Sequence, residues 1–109
     1  MKLLTAELLK KLPKFYASEQ DNDPIVWCKF FTPDSSWTWY ATEFDGKDTF
    51  FGLVDDIERE WGYFSLSELM TVRGHLGLPI ERDRYFSPKR ISEIPGLTKR
   101  DSFAELSPA

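Results

Sequence analysis

Residues 37–55, WTWYATEFDGKDTFFGLVD, predict the central feature of the fold, a β-hairpin. Two segments rich in β-branched and aromatic residues flank a short polar connector at 45–48. A two-residue turn within this connector fixes which residues face each other across the hairpin. It predicts three cross-strand pairs: Trp39 with Val54, Ala41 with Gly52, and Glu43 with Phe50.

The small pair Ala41 and Gly52 predicts a dimple on one face of the hairpin, where a helix can approach closely. This covered face extends to the preceding strand if Phe30 pairs with Trp39. Its predicted members are Val26, Cys28, Phe30, Trp37, Trp39, Ala41, Glu43, Phe50 and Val54. The opposite, second face carries Trp27, Lys29, Phe31, Thr38, Tyr40, Thr42, Phe51 and Leu53.

Weaker signals on both sides of the hairpin predict the remaining elements. Residues 25–31 and 61–64 have the composition of strands. A helix over 5–12 begins with Thr5 as its N-cap, and the capping box SLSE at 65–68 begins a second helix that ends with Gly74 as C-cap. Glycines and prolines interrupt the last third, where one helical turn is expected near Ser92.

The predicted fold class is therefore α+β: an antiparallel β-meander of about four strands, with two short helices packed on it and a Pro-rich irregular C-terminal segment. Residues 1–97 are predicted to form a single globular domain, and residues 98–109 a flexible C-terminal tail. The C-terminal segment is expected to wrap over the sheet through its apolar residues: Leu76, Leu78, Ile80, Tyr85, Phe86, Ile91, Ile94 and Leu97.

Composition and charge narrow the class of protein. The chain has 109 residues, 41% of them hydrophobic, with a net charge of -4 and no apolar run long enough for a membrane span, which excludes disordered and membrane-spanning proteins. The charge separates into a basic N-terminus, an acidic centre and a basic C-terminal third. A single cysteine and a start that lacks a secretory pattern indicate a cytoplasmic protein.

The residues that could act in catalysis or bind a metal are better explained here without either role. Cys28 and His75 are the only residues of their types, but Cys28 lies mid-strand among apolar residues, so a nucleophilic pair is disfavoured. The acidic pairs at 45–48 and 55–56 do not match a calcium loop. Glu43 either finds a partner on the covered face or lies at the sheet rim in water, and the rim is favoured. No catalytic residue, metal site or cofactor is predicted.

Two sets of residues are candidates for binding. Aromatic side chains beside a lysine on the second face are typical of a stacking platform, although an internal layer beneath the C-terminal segment is the favoured interpretation of that face. The acidic centre is the second candidate, because carboxylates complement a basic groove. The predicted binding residues are Trp27, Lys29, Tyr40, Phe51, Asp55, Asp56, Glu58, Arg82 and Arg84.

Five stretches of the sequence carry a resemblance: MKLLT at 1–5, FFTPDS at 30–35, WTWYATEF at 37–44, GYFS at 62–65 and LGLPIERD at 76–83. Over about residues 1–94 they resemble a family of small bacterial single-domain proteins of unknown function. The resemblance implies genes on plasmids, integrative elements and phages, often near anti-restriction and DNA-maintenance genes. It implies no established activity, and no functional residue is carried over.

Two hypotheses of different classes follow. The first is a non-enzymatic interaction protein of a bacterial mobile element, which inhibits a host defence system of the anti-restriction or anti-CRISPR type by binding a protein. The alternative is a module that binds single-stranded nucleic acid through the aromatic face, with Lys29, Arg82, Arg84 and Arg90 at the phosphates. A third, weaker hypothesis is an enzyme that uses Glu43, His75 and a nearby arginine.

Overall fold

A five-stranded antiparallel sheet with helices on one face organises the computed structural model, which describes residues 2–18 and 20–97. The predicted tail, residues 98–109, lies outside the described residues. In chain order the elements are α1 (Ala6–Lys11), β1 (Ile25–Val26), β2 (Cys28–Phe31), β3 (Thr38–Phe44), β4 (Thr49–Asp55), β5 (Arg59–Ser65), α2 (Leu66–Thr71), β6 (Glu81–Arg82), β7 (Lys89–Arg90) and a 3-10 helix (Ile91–Glu93).

The sheet has the strand order β5-β4-β3-β2-β6, and β1 pairs separately with β7. This confirms the α+β class and the antiparallel meander formed by β2 to β5. The sequence did not predict β6 and β7, which are two residues each and lie in the Pro-rich third. Both are edge pairings that depend on strands distant in sequence, Phe30 with Arg82 and Val26 with Lys89.

The central hairpin has the predicted register over half of its length. Trp39 pairs with Val54 and Ala41 with Gly52, as expected, and Trp39 also pairs with Phe30. Beyond Ala41 a β-bulge shifts the register by one residue, so the predicted pair of Glu43 with Phe50 is wrong. A bulge turns the following side chains to the opposite faces of the sheet.

The bulge has a cause in the connector. Asp45 accepts hydrogen bonds at Oδ1 from the backbone N–H groups of Lys47, Asp48 and Thr49, at 2.8, 2.9 and 3.1 Å. The backbone N–H of Asp45 in turn donates to Thr49 O at 2.9 Å. These bonds close a loop one residue longer than the predicted two-residue turn. The register at this end therefore differs by one from the register farther along.

A second irregularity separates β1 from β2 at Trp27. Residues 25–26 leave the main sheet to pair with β7, so the alternation of faces does not continue through Trp27. As a result Val26 packs on the second face and Trp27 packs against the helix-covered face. Both placements are the reverse of the prediction.

Each face of the sheet has its own core. Both helices cover the first face, whose buried members include Leu3, Leu12, Cys28, Phe30, Trp39, Ala41, Phe44, Phe50, Phe64, Leu69 and Ile80. On the second face the buried members are Val26, Tyr40, Leu53, Ile91, Ile94 and Leu97. The C-terminal segment is therefore an internal layer over Tyr40 and Leu53, as favoured from the sequence. Three of its predicted apolar contacts, Leu76, Leu78 and Tyr85, are exposed instead.

The structure confirms the predicted N-cap of each helix but not the predicted C-cap of α2. The Thr5 and Ser65 side chains accept from the backbone N–H groups three residues on, as N-caps do. The predicted C-cap at Gly74 is wrong, because α2 ends at Thr71 and its C-cap is Val72. Gly74 packs closely against the Asp34 side chain: a Cβ there would lie 1.6 Å from Asp34 Oδ1. None of the described helices is long and apolar enough to cross a membrane.

Candidate functional site

The nine predicted binding residues do not form one site. The structure places Asp55, Asp56 and Glu58 at the β4–β5 connection, and Trp27, Arg82 and Arg84 in a cleft beside α1. Tyr40 and Phe51 lie on the second face, where Lys29 Nζ is 5.9 Å from the centroid of the Tyr40 ring. Each location is a separate candidate.

The connection between β4 and β5 presents a fully exposed isoleucine. Ile57 is 97% exposed at the tip, between Asp56 and Glu58. The tip is ordered by two bonds: Asp56 N donates to Glu58 O at 3.1 Å, and Glu58 N donates to Asp56 Oδ1 at 3.0 Å. Behind it, Arg59 pairs with Asp55 at 3.3 Å and donates to Gly96 O at 2.7 Å. An apolar side chain is thus held in water on a well-braced hairpin.

Carboxylates surround this tip. A shallow depression of about 380 Å³ runs along the hairpin and is lined by Val54, Asp56, Ile57, Glu58 and Glu60. The neighbouring basic residue, Arg59 at the start of β5, is paired with Asp55, so the tip has an acidic character. We call Ile57 with Asp56, Glu58 and Glu60 the acidic hairpin tip. The sequence predicted Asp56 and Glu58 as binding residues but neither Glu60 nor Ile57, although one apolar residue amid charged neighbours in a connector is a readable signal.

The cleft beside α1 brings together three of the predicted residues in a volume of about 310 Å³, lined by Trp27, Arg82 and Arg84 among others. Its charge is mixed, because Glu7 and Asp83 line it together with Lys11. Lys11 pairs with Glu7 at 3.2 Å. Arg82 Nη1 donates to the carbonyls of Lys2 and Leu3 at 2.6 and 3.2 Å, which fastens the N-terminus to β6.

The predicted stacking platform of Trp27, Tyr40 and Phe51 does not form. Trp27 packs with the first core, on the other side of the sheet from Tyr40. Tyr40 is 7% exposed beneath the C-terminal segment, and burial raises the pKa of its hydroxyl, with the Asp55 carboxylate adding to the rise and Arg59 opposing it. Phe51 is half-buried between Trp61 and Tyr63. The shared-face prediction was wrong because the strand breaks at Trp27.

Glu43 holds a loop rather than facing water. The bulge turns it away from the covered face, and its side chain accepts from Tyr16 N at 3.0 Å, from Ser18 N at 2.8 Å and from the Ser18 hydroxyl. It is 4% exposed, so the rim position favoured from the sequence is wrong. Tyr16 has a φ of 68°, a left-handed conformation that is strained for a tyrosine. The bonds to Glu43 keep the loop in this conformation.

The groups considered for catalysis or metal binding lie apart. Burial raises the pKa of the Cys28 thiol to about 12, an effect that Arg82 only partly offsets, so the nucleophilic thiolate is disfavoured. Cys28 lines the cleft beside α1, whereas His75 lines a different one. Backbone hydrogen bonds hold the pKa of Asp45 below its usual range. Within residues 2–18 and 20–97, no three His, Cys, Asp or Glu side chains converge as metal ligands would.

A third depression was not predicted. It measures about 320 Å³ and lies between the β2–β3 connection and the end of α2, lined by Thr32, Ser35, Trp37, Val72, Arg73, Gly74 and His75. We call it the Trp37 cleft. Trp37 was expected on the covered face, and its ring does lie 5.7 Å from that of Trp39, yet it remains 43% exposed.

Comparison with known proteins gives one match. Neither the curated proteins nor the solved structures include a match to this chain. One family model matches residues 3–96, which is most of the chain and nearly the same span as the resemblance noted from the sequence. This confirms the predicted membership in a family of unknown function. The chain belongs to the family described as "Protein of unknown function (DUF2958)".

Proposed function

We propose that this protein is a non-enzymatic interaction protein that binds a partner protein through the acidic hairpin tip. The observation that carries the proposal is the 97% exposure of Ile57 on a hydrogen-bonded hairpin. Burying an isoleucine side chain in a partner contributes about 1.5–3 kcal/mol. Because the tip is already ordered, little conformational entropy is lost on binding.

The charges around Ile57 define the partner that would fit. Asp56, Glu58 and Glu60 complement a basic surface, and Ile57 complements an apolar pocket within it. Basic grooves of this kind are typical of proteins that bind nucleic acid. An acidic hairpin that occupies such a groove would compete with the nucleic acid for the site.

The biological setting belongs to the same proposal. We infer a cytoplasmic protein of a bacterial mobile element that inhibits a host defence system of the anti-restriction or anti-CRISPR type. The support for this setting is the resemblance of the sequence to proteins encoded on plasmids and phages, together with the acidic character of the tip.

Capture of partners from a host lysate, after nuclease treatment, tests the role of the tip. Ile57→Asp and the pair Asp56→Lys with Glu58→Lys should each lower the yield of the captured protein at least 10-fold, which corresponds to about 1.4 kcal/mol or more. Tyr85→Asp is the matched control, since Tyr85 is 92% exposed and lies outside the hairpin. Equal capture by wild type and Ile57→Asp would overturn the proposal.

The second candidate function, binding of single-stranded nucleic acid, has a different location. It is favoured by one observation: Trp27 and Arg84 line the same cleft, so a base could stack beside a cation that contacts phosphate. Under this alternative a gel shift with a single-stranded oligonucleotide should show a complex that weakens steeply with salt and is lost in Arg84→Glu. The hairpin proposal predicts no complex even at low salt.

A further inference from the structure

The acidic hairpin tip and the Trp37 cleft lie side by side at one end of the sheet. Asp55 pairs with Thr38, so the β4–β5 connection begins beside the residue that follows Trp37. They also share a face, because Val54 lines the hairpin depression and packs against the first core, where Trp37 contacts Trp39. An exposed apolar knob and an apolar cleft are therefore neighbours.

Exposed apolar residues are close in the chain to the residues that line the Trp37 cleft. Leu76 and Leu78, in the loop that follows Gly74 and His75, are 80% and 43% exposed, and Met70, whose carbonyl accepts from Arg73, is 62% exposed. Exposed apolar groups that gather in one place are typical of interaction sites, whereas scattered ones are ordinary. Together with Trp37 and Ile57, these residues place exposed apolar side chains in or near both depressions.

Both walls of the cleft are braced by hydrogen bonds. On one side the Thr32 hydroxyl accepts from Trp37 N at 3.1 Å, which closes the β2–β3 connection. On the other, the Asp34 carboxylate accepts from Leu76 N at 2.6 Å and from Leu78 N at 3.3 Å. Asp34 thus ties the loop after α2 to the β2–β3 connection. A cleft with fixed walls loses little entropy when it is filled.

The two depressions at this end of the sheet are lined by ionisable side chains of opposite type. The ionisable side chains that line the Trp37 cleft are Arg73 and His75, both basic, whereas those that line the hairpin depression are Asp56, Glu58 and Glu60. The exposed Ile57, with carboxylates around it, thus lies next to an apolar cleft that is lined by basic side chains of the same chain. A surface that carries both halves of a complementary pair can bind a second copy of itself about a two-fold axis.

We propose that two copies of this chain associate about a two-fold axis, each placing Ile57 in the Trp37 cleft of the other. Asp56 and Glu58 of each copy then face Arg73 and His75 of its neighbour. The contact is small, so the dimer is an exchangeable one with a Kd on the order of micromolar. The inference uses the hairpin of the proposed function and adds a regulation: dimerisation hides the tip, and a partner with higher affinity must displace the second copy.

Sedimentation velocity tests the dimer, with protein from about 1 µM to about 300 µM, a range that brackets a micromolar Kd. The wild type should shift with concentration from monomer towards twice the monomer mass, and less so in high salt because charges contribute. Ile57→Asp and Trp37→Ala should each raise the dimer Kd at least 10-fold. Tyr85→Asp should behave as the wild type.

A charge exchange makes the test specific for the two-fold contact. Glu58→Arg alone and Arg73→Glu alone should each weaken the dimer, since they place like charges face to face. The double variant should restore it, because each exchanged charge then meets the other across the axis. Thermal unfolding of Arg73→Glu serves as the folding control, since Arg73 also donates to the carbonyls of Met70 and Val72.

The possible outcomes test the self-association and the proposed function separately. A wild type that stays monomeric throughout, or whose mass grows past a dimer, would overturn the two-fold association. If such a monomer still captures a partner through Ile57, the proposed function stands alone. If instead the dimer forms as expected and partner capture is indifferent to Ile57→Asp, the proposed function fails and the self-association stands.

Discussion

Replacement of Gly52 by alanine should abolish stable folding, the largest effect that we expect from a single methyl group in this chain. A Cβ at this position would lie 1.8 Å from the carbonyl oxygen of Tyr40, 2.9 Å from its carbonyl carbon and 3.1 Å from Ala41 Cα. All three are backbone atoms of the paired strand, so they cannot move aside without separating β3 from β4. We expect a loss of more than about 4 kcal/mol, a large part of the total stability of a small domain.

Gly62 provides the matched control for this prediction. It is the register partner of Gly52 on β5, and a Cβ there would have no heavy atom within 4 Å. Gly62→Ala should change the free energy of unfolding by less than about 0.5 kcal/mol, as substitutions at open surface positions do. Urea denaturation followed by circular dichroism compares the two variants, and equal midpoints would contradict the close-approach explanation.

The sequence correctly predicted those parts of the fold that depend on residues close together in the chain. The pairs Ala41 with Gly52 and Trp39 with Val54 were readable because alternation and turn position act within a single hairpin. The structure gives a different reason for this small pair from the one predicted. Gly52 leaves room for the Tyr40 backbone, whereas the sequence suggested that an approaching helix needs the space. The capping residues Thr5 and Ser65 were equally local.

Contacts between distant parts of the chain explain the failures. Trp27 changes face because β1 pairs with residues more than 60 positions later, which no local pattern reveals. The same holds for the candidate surfaces, since the Trp37 cleft joins a turn after β2 to a loop after α2. The acidic run was visible in the sequence, but the exposure of Ile57 depends on where the hairpin ends relative to the cores. The alternation of side chains along a strand reveals neither the Trp37 cleft nor the exposure of Ile57.

Loss of the Glu43 carboxylate should have the second-largest effect. In Glu43→Ala, the backbone N–H groups of Tyr16 and Ser18 and the Ser18 hydroxyl would all lose their acceptor. A buried donor left without a partner costs about 1–3 kcal/mol, and part of this is recovered if the loop opens to water. We therefore expect a loss of about 3 kcal/mol, accompanied by release of the loop at residues 14–18.

Variants of different chemistry separate the hydrogen bonds of Glu43 from its packing. Glu43→Gln keeps the shape and one acceptor oxygen, but its amide nitrogen meets donors, so an intermediate loss of about 1–2 kcal/mol is expected. Glu60→Ala is the control, because Glu60 is an exposed glutamate of the same sheet and should change stability by less than about 0.5 kcal/mol. If Glu43→Ala were as stable as Glu60→Ala, the carboxylate would not hold the loop.

Tyr16 allows an independent check of the same arrangement. Its φ of 68° costs of order 1 kcal/mol in a tyrosine and nothing in a glycine, so Tyr16→Gly should relieve the strain that the bonds to Glu43 now offset. The glycine loses the edge contact with Phe15, which opposes the gain. The decisive measurement is hydrogen exchange at the Ser18 amide, which donates to Glu43. Exchange there should be fast in Glu43→Ala and slow in Tyr16→Gly, because the second variant keeps the carboxylate that the amide binds.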